Sequence, residues 1–125
     1  MSKVYLLRTD KDSLDLEKDV RRMAEVFSEY LPPQENVAIK LHFGERVSDT
    51  HLDPDFVESI YNEINDKSPE TVLMDCNVLY NSDRSLAPTH RELAKDNGFD
   101  FAPIVIADGE KGKDELKVPI DLNHF

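Results

Sequence analysis

One cysteine, Cys76, stands in the 125 residues of this chain. An internal disulfide is therefore excluded, and the thiol count fits a reducing compartment, which makes the cytoplasm the expected location. An iron-sulfur cluster takes four thiolates, so none forms within a single copy of the chain. Long apolar runs are missing too. The amino terminus, MSKVYLLRTD, meets charge after one short run, which predicts neither a signal peptide nor a membrane span. Glycine is scarce, at 4 residues, and the dinucleotide fingerprint and the P-loop both need more of it in a set order. Basic residues are outnumbered, 15 against 26 acidic ones, for a formal net charge of -11. Phosphate backbones are held by clustered Lys and Arg, so nucleic acid is not an expected partner. The acidic residues are spread along the chain. They read as a solvated surface, with an acidic cleft for a metal or a cationic partner as the other reading.

There is no internal repeat, linker or low-complexity segment. A chain of this length buries roughly two-thirds of its unfolded surface, so residues 1–125 are read as a single domain. It is organised around VAIKLHFGE at 37–45, where five strand formers run into a polar turn with His42, Gly44 and Glu45. TVLMDCN at 71–77 and PIVIADGEKG at 103–112 have the same form, an apolar run ending in acidic or amide side chains. Parallel strands would bring such ends to one rim, where open α/β folds gather their ligands.

The other elements follow from spacing. KVYLLR at 3–8 predicts a first strand. Leu16, Val20, Met23, Ala24, Phe27 and Leu31 recur by three and four, the face of a helix capped by Asp12 or Ser13 and stopped at Pro32-Pro33. A strand at 37–41 leads into a loop at 42–53, longer than a plain turn requires. Asp53-Pro54 starts a helix with Phe56, Val57, Ile60, Tyr61 and Ile64 on its buried face, ending within 65–69. After a strand at 71–75 and a loop at 76–85, a helix begins between Ser85 and Thr89, with Thr89 and Glu92 at capping-box spacing, and ends at Asn97-Gly98. A strand at 103–107, a turn at Asp108-Gly109 and an extended segment at 116–120 complete the pattern. This alternation predicts a three-layer α/β fold: a mostly parallel sheet of four to five strands with right-handed crossover helices, a Rossmann-like half.

Several side chains at the strand ends invite chemistry. Alternation from Val37 to Phe43 puts Ala38, Lys40 and His42 on one side, and His42 is either a ligand or metal contact or a histidine bonded to nearby backbone. Asp75 follows VLM, and its burial is costly without donors or a cation; capping of the next loop is the alternative. Cys76 reads as a small buried residue. Arg84, just ahead of a helix, suits an anion docked on the helix amides or an ion pair with Asp83 or another acid. His90 shares a helical face with Leu86, Ala87, Leu93 and Ala94, the place of a satisfied core histidine. His, Asp and Glu from several loops could together hold a divalent cation, without any local spacing such as HExxH.

The order of VAIKLHFGE, Thr50, Pro54, MDCNVLYNSDRS, His90, NGF at 97–99 and PIVIADG resembles the amino-terminal portion of the family known as domain of unknown function 362. The resemblance runs from about Val37 onward. It implies an α/β domain linked to iron-sulfur or redox metabolism, with a ferredoxin-type partner, and it implies no established reaction. Members are usually longer, so the chain is expected to correspond to a fragment or short form of that architecture. Through the motifs the resemblance gathers a site. His42, Asp75 and His90 are the candidate catalytic residues, and Lys40, Gly44, Glu45, Thr50, Asn77, Arg84, Asp108 and Gly109 the candidate ligand contacts. The expectation is a polar pocket at the strand carboxyl ends for a small anionic ligand or a metal, with Arg84 on the anion and His42 transferring a proton or ligating the metal. The alternative is a non-catalytic module that docks through an open sheet edge on a partner chain or on itself.

Overall fold

The computed structural model describes residue 4 and residues 16–30 and 36–117. In chain order it forms α1 (Leu16–Ser28), β1 (Ala38–Lys40), α2 (Pro54–Asn65), β2 (Val72–Asp75), a single 3-10 turn (Asp83–Ser85), α3 (Ala87–Asp96) and β3 (Ile104–Ile106). The strands lie in the order β1-β2-β3 and both pairings are parallel. This is a small α/β fold with three strands among the described residues. The strand expected at 3–8 apart from Val4, the caps Asp12 and Ser13, the Leu31 to Pro33 stop and most of the segment at 116–120 fall outside them. Leu116 itself is exposed and extends no strand.

Register explains where the core sits. Ile39 pairs with Leu73, Leu73 with Ile104, and Asp75 with Ile106, so these side chains share one face of the sheet. Leu73 and Ile106 on this face pack with Leu41, Phe43 and Phe99, with Val57 and Tyr61 of α2, and with Ala87 and Ala94 of α3. Both helices thus cover the same face. That is what two right-handed crossovers progressing in one direction across a sheet require. α1 packs along α2, burying Val20 and Ala24, and Arg21 bridges to Glu63 at 3.2 Å. Phe27, expected on the buried stripe of α1, is 58% exposed.

The opposite face carries Ala38, Lys40, Val72, Met74 and Val105, and no described helix lies on it. The described residues therefore make two layers where the sequence predicts three. A shallow depression of about 360 Å³, lined by Val37, Ala38, Thr71, Val72, Met74 and Pro103 among others, opens on this side. It lies toward the amino-terminal ends of the strands, away from the rim with the polar side chains.

The ends of α2 and α3 show how far local signals reach. Asp53 caps α2 as its spacing suggests, its carboxylate accepting from Asp55 N at 3.0 Å. The capping box expected at Thr89 and Glu92 does not form. α3 begins at Ala87, within the expected 85–89, and the amide of Ala87 donates to the Glu110 carbonyl at 3.0 Å, a cap delivered from the loop after β3. At the other end, Asn97 and Gly98 terminate α3 with Gly98 at φ 91°.

Truncation tests which face is the core. Leu73→Ala should lower stability by about 2–5 kcal/mol in urea denaturation, the range for emptying a closed core position. Val105→Ala, on the uncovered face, should cost well under half as much. The reverse order would place the packed layer on the wrong side of the sheet.

Candidate functional site

Parallel pairing sends the residues after all three strands to one rim. Lys40 is the last residue of β1 and Asp75 the last of β2, while the turn after β3 carries Asp108. At this rim the buried guanidinium of Arg84 is the hub. The 3-10 turn presents it from a short segment whose start is fixed by Ser82, the hydroxyl of which accepts from Arg84 N at 3.0 Å.

All three nitrogens of the guanidinium are engaged. Nη2 donates to Asp75 Oδ2 at 2.9 Å, and Nη1 donates to Glu45 Oε1 at 3.1 Å and lies 2.6 Å from His42 Nε2. Nε points to His90 Nε2 at 3.3 Å, and Tyr80 OH is 3.4 Å from Nη1. Asp75 is filled in turn: Oδ1 accepts from Lys40 Nζ at 2.8 Å and from Cys76 N at 2.9 Å, and Oδ2 lies 3.4 Å from His90 Nε2. Lys40 and Arg84 oppose Asp75 and Glu45, so the formal charges of the cluster cancel with both histidines neutral.

These contacts set the protonation states. Burial alone would raise the Asp75 carboxyl, but hydrogen bonds from His90, Lys40 and the Cys76 amide, with the charge of Arg84, hold it well below its ordinary value of 3.8. Tyr80 donates to Glu45 Oε1 at 2.6 Å, and this bond, opposed by burial and helped by Arg84, also lowers Glu45. The same bond raises the Tyr80 phenol. His42 is lowered from 6.5, first by burial and then by the charge of Arg84, against smaller opposing effects of Asp75 and Glu45. Its imidazole is held neutral and is nevertheless exposed to solvent.

The loop that carries His42 is braced from the far side. Asn97 Nδ2 donates to the Phe43 carbonyl at 2.8 Å, and Gly44 N donates to His42 Nδ1 at 2.9 Å. Gly44 sits at φ 94°, where a Cβ would come within 2.7 Å of His51 Nδ1 and of Asn97 Nδ2. The NGF motif at 97–99 thus serves this loop and the core, since Phe99 is wholly buried against Phe43 with ring centroids 5.4 Å apart.

The rim gathers Lys40, His42, Gly44, Glu45, Asp75, Arg84 and His90 into one connected group. Asn77, Asp108 and Gly109 form a second: Asp108 Oδ1 accepts from Asn77 N at 2.9 Å and from Asn77 Nδ2 at 3.1 Å, and Nδ2 also donates to the Gly109 carbonyl at 2.7 Å. That set ties the loop after β2 to the loop after β3. Thr50 joins neither; its hydroxyl pairs with Ser48 Oγ at 2.9 Å on the surface. Of the two readings of Arg84, the structure shows the ion pair, made with Glu45 and Asp75, and the first amide of α3 is taken by Glu110. Two expectations change. Cys76 is exposed, not buried. No group of three or more His, Cys, Asp or Glu side chains among the described residues is arranged to hold a metal ion. The sequence reading missed Tyr80, whose role depends on Glu45 and leaves no periodic trace.

Asp75→Asn should cost about 3–5 kcal/mol at neutral pH, since it leaves a buried guanidinium short of a counter-charge. The sign of the pH dependence follows from a depressed folded-state pKa. The stabilisation is complete above the ordinary carboxyl range and fades as pH falls through 3.8 and below. Urea titrations should therefore show the gap between wild type and variant closing from pH 5 toward pH 2. A gap that stays constant with pH would contradict the ionised pair.

No family model, no curated protein and no solved structure matches the chain, so the geometry of this cluster is the ground on which a function stands.

Proposed function

We propose that the chain is an α/β domain whose strand carboxyl ends bind a small polar ligand, with His42 as the group that contacts the ligand and exchanges a proton with it. One observation carries the reading: a solvent-exposed imidazole, held neutral, is seated directly on a buried and charge-balanced network. A neutral imidazole that is reachable from solvent is a suitable proton acceptor. Asp75, Glu45 and His90 act through Arg84 as positioning residues, and Lys40, whose side chain is 62% exposed, adds a cation at the mouth. The cytoplasmic setting, the link to iron-sulfur metabolism through a ferredoxin-type partner, kinship with domain of unknown function 362, and a Rossmann-like half of four to five strands remain proposals that rest on the sequence motifs.

A second reading has its own support. Parallel sheets are normally covered on both faces, and here Ala38, Val72, Met74 and Val105 stand without a described cover. On this reading the domain docks by its open edge and face on another chain or on a second copy. Sedimentation over a concentration series tests self-docking, and a monomer at every concentration counts against it.

The ligand reading is tested with a panel of small carboxylates, phosphates and amides against wild type, His42→Ala and Asp75→Asn, followed by protein NMR. Loss of one charge-assisted hydrogen bond should weaken binding by about 10- to 100-fold in His42→Ala, with the fold intact. Unchanged affinity in both variants would remove the basis for this site.

A further inference from the structure

His42 is a member of the cluster whose hydrogen bonds cannot all be satisfied at once. Its Nδ1 accepts from Gly44 N at 2.9 Å, which in a neutral ring places the proton on Nε2. Nε2 then faces Arg84 Nη1 at 2.6 Å, and a guanidinium has only donors to offer. Two N–H groups thus point at one another. The other neutral tautomer moves the conflict to Gly44, and a doubly protonated ring creates it on both sides. Glu45 Oε1 cannot resolve it, because it already accepts from Tyr80 and from Arg84. An arrangement of two facing donors calls for an acceptor between them.

Resting on the ligand reading above, we propose that the gap between His42 Nε2 and Arg84 Nη1 is the seat of a small carboxylate, which enters together with one proton taken up by His42. Each charge-assisted N–H···O contact needs about 2.8 Å, so the two nitrogens must separate. Arg84 is fixed on Asp75 and His90 and is almost fully buried, so the exposed His42 ring is the partner that moves. The movement takes Nδ1 away from Gly44 N–H and leaves it open to a proton from solvent. No covalent bond changes: the carboxylate brings one negative charge and the imidazolium one positive charge.

Charge decides for the proton. The cluster is balanced before the ligand arrives, and the whole chain carries -11, so an anion entering alone would be opposed. The groups facing His42 are Lys40 from β1, Asp75 from β2, Glu45 from its own loop and Arg84 from the 3-10 turn. His90 of α3 and Tyr80 reach it through Arg84. Asp75 and Glu45 are lowered, and Tyr80 and Arg84 raised, so none of these four changes charge between pH 6.5 and 8. His42, exposed and set between two donors, is the group to which the proton is assigned.

The test is a titration of the full chain with acetate from pH 6.5 to 8, following the His42 ring nitrogens by NMR, with acetamide as the uncharged counterpart. Acetate should convert His42 to imidazolium, and its Kd should weaken about tenfold for each unit of rising pH, as uptake of one proton requires. His42→Gln should abolish both the pH slope and the binding contrast between acetate and acetamide. Acetate binding with a Kd independent of pH, or unaltered in His42→Gln, overturns the proposal. If acetamide perturbs His42 and acetate does not, the carboxylate seat falls while the polar-ligand site stands. If neither perturbs it, both readings fall.

Discussion

The pair formed by Arg84 and Asp75 is the interaction on which the rest depends. Their side chains are 6% and 4% exposed, so both charges have left water almost completely. Each such burial costs several kcal/mol, and mutual attraction offsets it only when the remaining donors and lone pairs are also filled. That condition recruits the neighbours. Lys40 and the Cys76 amide fill one oxygen of Asp75, Glu45 accepts from Nη1 of Arg84, and the rings of His90 and His42 lie against Nε and Nη1. A single buried pair therefore ties together β1, β2, the 3-10 turn, α3 and the loop after β1. Fixing a unique arrangement of five segments is a stronger consequence than any net gain in stability, which for buried pairs is small or absent.

The same pair separates two histidines that the family resemblance groups together. Both imidazoles touch the one guanidinium through Nε2. His90 is fully buried, edge-on to Phe43 at 5.8 Å, and its Nδ1 finds no partner among the described residues. It is a spacer that holds Arg84 and Asp75 in line. His42 is reachable from solvent and has donors on both sides. Arg84 also supplies internally the positive charge that a metal would otherwise bring to Asp75, Glu45 and the two rings. His42 is the ring on which the proposed ligand site relies.

Much of the frame was legible because it rests on short-range periodicity. Alternation from Val37 to Phe43 places Leu41 and Phe43 inside and Lys40 and His42 outside, as found, although β1 itself ends at Lys40 and the last bond to β2 comes from Leu41 N. Asp53-Pro54 and Asn97-Gly98 carry their signal within a few residues and mark real helix ends. The errors share a cause, which is a partner from far along the chain. α3 is capped by the Glu110 carbonyl and not by a capping box, which no pattern near Thr89 reveals. For Arg84 the ion-pair reading holds, but its own loop does not show that Glu45 and Asp75 are the acids that pair with it. Tyr80 gains its place only once Glu45 arrives beside it. Thr50, included through motif order alone, bonds Ser48 instead.

Lys40 connects the two surfaces of interest. Its Cα pairs with Met74, which puts its stem on the uncovered face, yet its ammonium bends over the strand ends to Asp75. In water such a half-exposed contact is worth about 0–1 kcal/mol. Removing water from its exposed side lowers the local dielectric and strengthens the Coulomb term with Asp75, at a desolvation cost that the apolar neighbours Ala38, Val72 and Met74 would help to offset. The uncovered face and the polar rim are therefore not independent. Whatever lies against the first also changes how firmly Asp75 is held, and through Arg84 how the ring of His42 is presented.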